Sequence, residues 1–281
     1  MRGKKILATV FGVLCAVGLF AGCQSNQNAA DNTANGATGE DTSLQYVKDK
    51  GELVIGLDAT FAPMGFKDEA GNIVGVDIEL ATAVCEKLGV KAVFQPISWD
   101  AKEMELETKR IDCIWNGMSI TDERKEKMEL SNPYLNNKII VMTNQGVNVA
   151  SKEDLKNYNV ATQAKSSALE VIENDPSYDS FKDKVTLYPT YDEIILDMKT
   201  GRIDVMIVDQ VLGKYKNSKL GDEALEVAGF DFGDDMYAIG FRKGDVKLVE
   251  AVNEALAEVI DSGEGEEIST KWFGENMFIK G

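Results

Sequence analysis

The segment Asn116-Gly117-Met118-Ser119-Ile120-Thr121-Asp122-Glu123-Arg124 follows the apolar run 113–115, and its residue types suit the capture of a carboxylate. Gly117 admits close backbone approach, Ser119 offers a hydroxyl, and Thr121 is placed to cap a helix that starts there. Helix N-termini present unpaired N–H groups and partial positive charge to an anion. Arg124, three residues past the cap, can add a planar bidentate grip. The plainer alternative is an ordinary capped helix with a surface arginine. Gln163-Ala164-Lys165-Ser166-Ser167 forms a second such turn, between the strand-like run 160–162 and a helix beginning near Ala168; Ser167 and Glu170 have capping-box spacing. Asp58 and Asp209 each close an apolar run, where a carboxylate suits an ammonium group because buried charge needs a partner. Capping the next turn is the alternative for both. Phe61 and Trp99 offer aromatic walls for a small side chain and a face for cations, with core packing the alternative for Phe61.

The elements that position these residues are legible from periodicity. The run 53–57 reads as a buried strand, Asp68-Glu-Ala-Gly-Asn72 as a turn, and Asp77 as the cap of a helix carrying Ile78, Ala81, Val84, Cys85 and Leu88. Strand–helix–strand then recurs down to Val208, the pattern of an α/β fold with mainly parallel strands. Leu248, Val249, Val252, Ala255, Leu256, Val259 and Ile260 make one apolar helix face, stopped at Gly263. A repeat decides the architecture. Trp99-Asp100 is followed, eleven residues after the tryptophan, by Arg110-Ile111-Asp112 and a buried-strand pattern. Tyr191-Asp192 is followed at the same interval by Arg202-Ile203-Asp204 and another such strand. Matching intervals and element order predict two similar α/β lobes, with one continuous doubly wound sheet as the alternative. Ligands of open α/β sheets bind beyond the strand carboxyl ends, where the loops above lie.

Several classes of chemistry are excluded by composition. The 281 residues contain no histidine, which removes Ser-His-Asp triads, histidine general bases and histidine-ligated metals, and no metal site or cofactor is expected. Arg2, Lys4 and Lys5 precede an uncharged stretch, 6–21, too short to span a bilayer, and then Gly22-Cys23. Residues 1–22 read as an export signal, and a plain cleaved signal is the alternative to a lipoprotein one. Its removal takes the net charge from −17 to −20, which argues against nucleic acid, since phosphate neutralisation needs clustered Lys and Arg. Residues 23–44, rich in Asn, Ala, Gly, Thr and Ser, read as a flexible tether. Cys85 and Cys113 lie in apolar runs and read as two buried thiols, with a disulfide as the alternative.

Leu19-Phe-Ala-Gly-Cys23 resembles a bacterial lipobox, which implies lipidation of Cys23 and a membrane anchor without a membrane span. Asp58-Ala-Thr-Phe61-Ala-Pro63-Met-Gly-Phe66, Gly75-Val-Asp77-Ile-Glu79-Leu80 and the 116–124 segment closely resemble the extracellular solute-binding proteins of family 3, which serve polar amino-acid ABC importers. Ser131-Asn132-Pro133-Tyr134, the 163–168 segment, Gly201-Arg-Ile-Asp204, Val208-Asp209 and Lys271-Trp-Phe-Gly274 extend the resemblance across residues 50–275.

The resemblance implies a type II periplasmic-binding-protein fold, two lobes joined by a two-strand hinge. Lobe 1 would comprise 45–136 and 236–281 and lobe 2 would comprise 137–235, with crossings near 134–138 and 233–237 closing the lobes over the ligand. It also implies that Arg124 binds the ligand α-carboxylate with Ser119 and Ser167, and that Asp209 takes the α-amino group with Gly117 contributing backbone. Phe61 and Trp99 would flank the side chain, while Asp58, Asn116 and Gln163 would select it; read from the residues themselves, Ser166 and Ser167 could grip the carboxylate from the opposite side. Lys165 departs from the family's usual Gly. The implied partners are a small amino acid and a membrane permease, and the expected protein is a monomeric binder rather than an enzyme. A periplasmic dehydratase of the same fold or a sensor's binding partner are the rival readings.

Overall fold

The computed structural model describes residues 40–280. The expected signal, the lipid site Cys23 and most of the tether lie outside the described residues. A helix, Ser43–Lys50, already begins inside the segment expected as tether, and the Lys247 backbone N–H donates to Asp41 Oδ2 at 2.6 Å.

Twelve strands follow in chain order: β1 Glu52–Leu57, β2 Thr60–Phe61, β3 Gly65–Lys67, β4 Ile73–Val74, β5 Lys91–Pro96, β6 Cys113–Ser119, β7 Met128–Leu130, β8 Leu135–Thr143, β9 Val160–Gln163, β10 Val185–Tyr188, β11 Val205–Asp209 and β12 Glu226–Arg242. The main sheet runs β10-β9-β11-β8-β12-β6-β1-β5, with β7 beside β12. At one end β1 pairs in parallel with β5 and β6, and at the other β9 pairs in parallel with β10 and β11. Between them lie two long antiparallel strands, β8 and β12, paired with register shifts. The two lobes are therefore joined through these antiparallel crossings, which a doubly wound sheet would not contain.

The repeat is reproduced bond for bond. Arg110 and Ile111 N–H groups both donate to the Glu105 carbonyl, as those of Arg202 and Ile203 do to Asp197. Val54 N–H donates to Asp112 Oδ2 at 2.7 Å, and Asn159 N–H donates to Asp204 Oδ2 at 2.8 Å. Each Ile-Asp thus turns the chain into a central strand and ties it to its neighbour. Those strands are covered on both faces, as parallel strands require. Cys113 and Trp115 enter the largest apolar cluster while Ile114 and Met118 enter a second one. Met206 and Val208 join the largest cluster while Val205 and Ile207 face a third. Cys85 and Cys113 are buried free thiols, and burial pushes the Cys85 thiol up to about 12.

Two helix starts differ from the sequence reading. Asp77 is not a cap: the helix Val76–Leu88 is entered from Gly75, and the Asp77 side chain turns inward. The helix after β9 is Ser167–Glu173, and its cap is Ser166, whose Oγ accepts from Leu169 N–H at 3.1 Å. Consecutive serines are interchangeable as caps, and this one-residue difference frees the Ser167 hydroxyl for another contact.

Candidate functional site

The loops at the carboxyl ends of β1, β6, β9 and β11 converge, and every sequence-predicted site side chain is buried there. From β6, the Thr121 hydroxyl caps the helix Asp122–Lys127 by accepting from Arg124 N–H at 3.2 Å. Arg124 is therefore not on the surface. It is 4% exposed, its Cζ lies 5.8 Å from the Trp99 ring centroid, and its Nη1 donates to the Ser119 carbonyl at 2.7 Å. Among the described residues this guanidinium makes that single side-chain hydrogen bond and no ion pair. Desolvation works against its charged form, and the surrounding Glu170, Asp235, Glu103 and Asp209 favour it.

Gly117 has a φ of 55°, and a Cβ there would come within 2.9 Å of Phe61 Cε1, so only glycine fits. Its N–H donates to Asp77 Oδ2 at 2.6 Å, and Tyr134 OH donates to Asp77 Oδ1 at 2.8 Å. Burial pushes the Asp77 carboxyl up to about 7. Asp77 thus holds the end of β6 in place, a role its cap-like sequence position hid.

Asp58 and Asn116 are coupled, the Asp58 N–H donating to Asn116 Oδ1 at 2.8 Å. Asp58 Oδ1 accepts from Thr60 N–H and Oγ1, and Asp58 Oδ2 from Gln163 Nε2 at 2.8 Å. Gln163 comes from β9, so this bond joins loops of the two lobes. A second such bridge is Ser119 Oγ to Ser167 Oγ, at 2.8 Å. A third is Lys102 Nζ, which donates to the carbonyl of Lys165 at 3.2 Å. Lys165 sits at a φ of 56°, the left-handed backbone that explains glycine at this place in the resembled family. Lys102 is buried, lies 5.0 Å from the Trp99 ring and is lowered to about 8 by burial and then by Arg124.

Asp209, 3% exposed, closes β11. Its Oδ1 accepts from Asn137 Nδ2 at 2.8 Å and from Tyr237 OH at 3.0 Å. Phe61 meets Tyr191 with ring centroids 6.3 Å apart. Tyr191 is the repeat counterpart of Trp99, so the repeat already held the signal for an aromatic wall in each lobe. Asn137, Asp235 and Tyr237 carried no such signal: they sit on the crossing strands, where only sheet register brings them to Asp209. Taken together, the site offers an unpaired buried guanidinium, hydroxyls at helix starts, carboxylates some residues away and aromatic faces between. No cluster of metal-ligating side chains occurs among the described residues.

The model of the bacterial extracellular solute-binding proteins, family 3, matches residues 53–275. The L-cystine-binding protein TcyJ of Escherichia coli is 32% identical over 239 residues, covering 83% of this chain and 87% of the relative. The L-cystine-binding protein TcyA of Bacillus subtilis is 29% identical over 280 residues, covering 98% and 99%. A solved ABC uptake transporter substrate-binding protein of Streptococcus pneumoniae with bound histidine is 37% identical, with a TM-score of 0.79, covering 86% of this chain and 99% of its own. This chain belongs to the bacterial extracellular solute-binding proteins of family 3.

Proposed function

We propose that the protein captures a polar amino acid as its zwitterion between the two lobes and delivers it, chemically unchanged, to the permease of an ABC importer. The observation that carries this reading is Arg124: a guanidinium buried to 4% exposure with one hydrogen bond and no ion pair among the described residues. A buried charge is tolerated only when compensated, and an α-carboxylate supplies that compensation with a matching bidentate geometry. Asp209 takes the ammonium, Ser119 and Ser167 assist the carboxylate, and Gly117 offers backbone. Phe61 and Trp99 flank the side chain; Asp58, Asn116, Gln163 and Ser166 shape its end of the pocket. The hinge lies where β8 and β12 cross, near 134–138 and 233–237, with lobe boundaries at 136/137 and 235/236. Acylation of Cys23 holds the protein, a monomer, at the outer face of the membrane.

The ligand favoured is one whose side chain carries no net charge, L-cystine first, in which the distal ammonium and carboxylate cancel. Asp58 already accepts three hydrogen bonds from Thr60 and Gln163, which leaves it little call for a cationic side chain. Two of the similar proteins bind L-cystine. A thermal-shift screen of the twenty amino acids and L-cystine tests this. Ligand at a hundred times Kd stabilises by about 2.7 kcal/mol, which for a domain of this size is roughly 5–10 °C. One or two polar amino acids are expected to give that shift and to be recovered intact by mass spectrometry. A screen with no shift, or a chemically altered amino acid, overturns the proposal.

A further inference from the structure

Asp235 lies on β12 directly opposite Asn137 on β8. Asn137 Nδ2 donates to Asp209 Oδ1 at 2.8 Å and to Asp235 Oδ2 at 2.8 Å, so one nitrogen bridges two carboxylates. The Ser119 hydroxyl donates to the same Asp235 Oδ2 at 2.5 Å while its oxygen lies 2.8 Å from Ser167 Oγ. A continuous chain of contacts therefore runs from Arg124 through Ser119, Asp235 and Asn137 to Asp209. The adjacent Asp234 is exposed and pairs instead with Lys138 at 3.1 Å. The charged and titratable groups facing the carboxylate pair are Arg124 from the helix Asp122–Lys127, Tyr237 from β12 and Tyr191 from the helix Tyr191–Lys199.

We propose that Asp235 is a second acceptor for the ligand's ammonium, forming with Asp209 an Asn137-bridged dicarboxylate that holds one proton in the empty site and releases it to solvent as the ammonium enters. This rests on the zwitterion reading given above. Two carboxylates this close in a poorly hydrated site resist ionising together. Burial raises Asp209, and the neighbouring Asp235 charge raises it further; burial likewise raises Asp235. An ammonium brings three N–H donors and a positive charge, which favour both carboxylates ionised. The balance is simple: one proton leaves the pair for each ligand bound, and no covalent bond other than that O–H changes. Because the empty site binds more protons than the occupied one, affinity is full above the raised range of the pair and falls as pH drops through it.

The test measures affinity by calorimetry between pH 5 and 8 for the tightest binder among the twenty amino acids and L-cystine, comparing wild type with Asp235→Asn. Wild type is expected to lose on the order of tenfold in affinity from pH 8 to 5. It should also release up to one proton per ligand, read from the heat difference between buffers of unlike ionisation enthalpy. Asp235→Asn is expected to bind about tenfold more weakly at pH 8, the worth of one charge-assisted hydrogen bond, and to show a flattened pH profile. Asp179→Asn, at an exposed carboxylate outside the site and the crossings, should match wild type in both respects. The proposal is overturned if wild type exchanges no proton on binding, a result that needs no variant. It is equally overturned if Asp235→Asn keeps the wild-type pH profile or stays within twofold of wild-type affinity throughout. If no amino acid binds wild type at all, the zwitterion reading fails first; if binding is tight but insensitive to pH, only the role of Asp235 fails.

Discussion

Replacing Arg124 with methionine is expected to abolish amino-acid binding at millimolar concentrations while leaving the empty protein at least as stable as wild type. Two charge-assisted hydrogen bonds to a carboxylate contribute about 3–6 kcal/mol, which is on the order of a 10²–10⁴-fold loss. Stability should move the other way. The guanidinium is buried against Trp99 with one backbone carbonyl as hydrogen-bond partner; the surrounding carboxylates favour its charge from beyond ion-pair reach, and an apolar chain of similar length removes the cost of desolvating it. Methionine can still lie on the indole. Arg124→Lys should rescue little, because a point charge on a flexible stem cannot reproduce a planar fork. Calorimetry and the melting temperature of the ligand-free protein check both halves. A variant that unfolds, or one that still binds within tenfold of wild type, contradicts the role assigned to Arg124.

The second large effect is expected from locking the lobes together. Ser119 comes from the end of β6 and Ser167 from the helix after β9, yet their hydroxyl oxygens are 2.8 Å apart. Cysteines at both places bring two sulfurs to bonding reach with little backbone movement. Oxidised without ligand, Ser119→Cys/Ser167→Cys should bind none, since the lobes can no longer part to admit it. Oxidised with radiolabelled ligand present, it should retain the label through gel filtration, and dithiothreitol should restore exchange in both cases. Each single variant, whose pair cannot form, is expected to exchange freely under oxidising conditions, which separates the lock from the loss of a hydroxyl. Normal exchange in a demonstrably cross-linked sample contradicts closure at this seam.

What the sequence made legible follows from how the site is built. The proposed anion-binding end is one continuous segment, 116–124, in which glycine, serine, cap and arginine follow one another, so its spacing marks it as a candidate. The two-lobe plan was legible because both copies use the same device, an Ile-Asp pair tying a central strand to its neighbour. The proposed ammonium end was only half visible. Asp209 ends its own strand and could be picked out, but Asn137 and Asp235 are 98 residues apart and meet only through the β8–β12 register. That register contains bulges, and no local pattern encodes it. Asp77 was misread because a capping carboxylate and a buried acceptor use the same residue type in the same Gly-Val-Asp setting. Only its partners, Gly117 and Tyr134, tell them apart. Lys102 escaped notice because a lysine in an amphipathic helix ordinarily faces water, whereas here two backbone carbonyls and Trp99 draw it inward.

Both charged ends of the ligand are expected to be needed, the carboxylate for Arg124 and the ammonium for Asp209. Calorimetry on the wild-type protein compares its tightest amino-acid ligand with the α-methyl ester and the Nα-acetyl derivative of that amino acid. Both derivatives are expected to bind at least about a hundredfold more weakly, each having lost one charged end worth about 3 kcal/mol or more. If either derivative binds within tenfold of the free amino acid, Arg124 does not hold the carboxylate or Asp209 does not hold the ammonium.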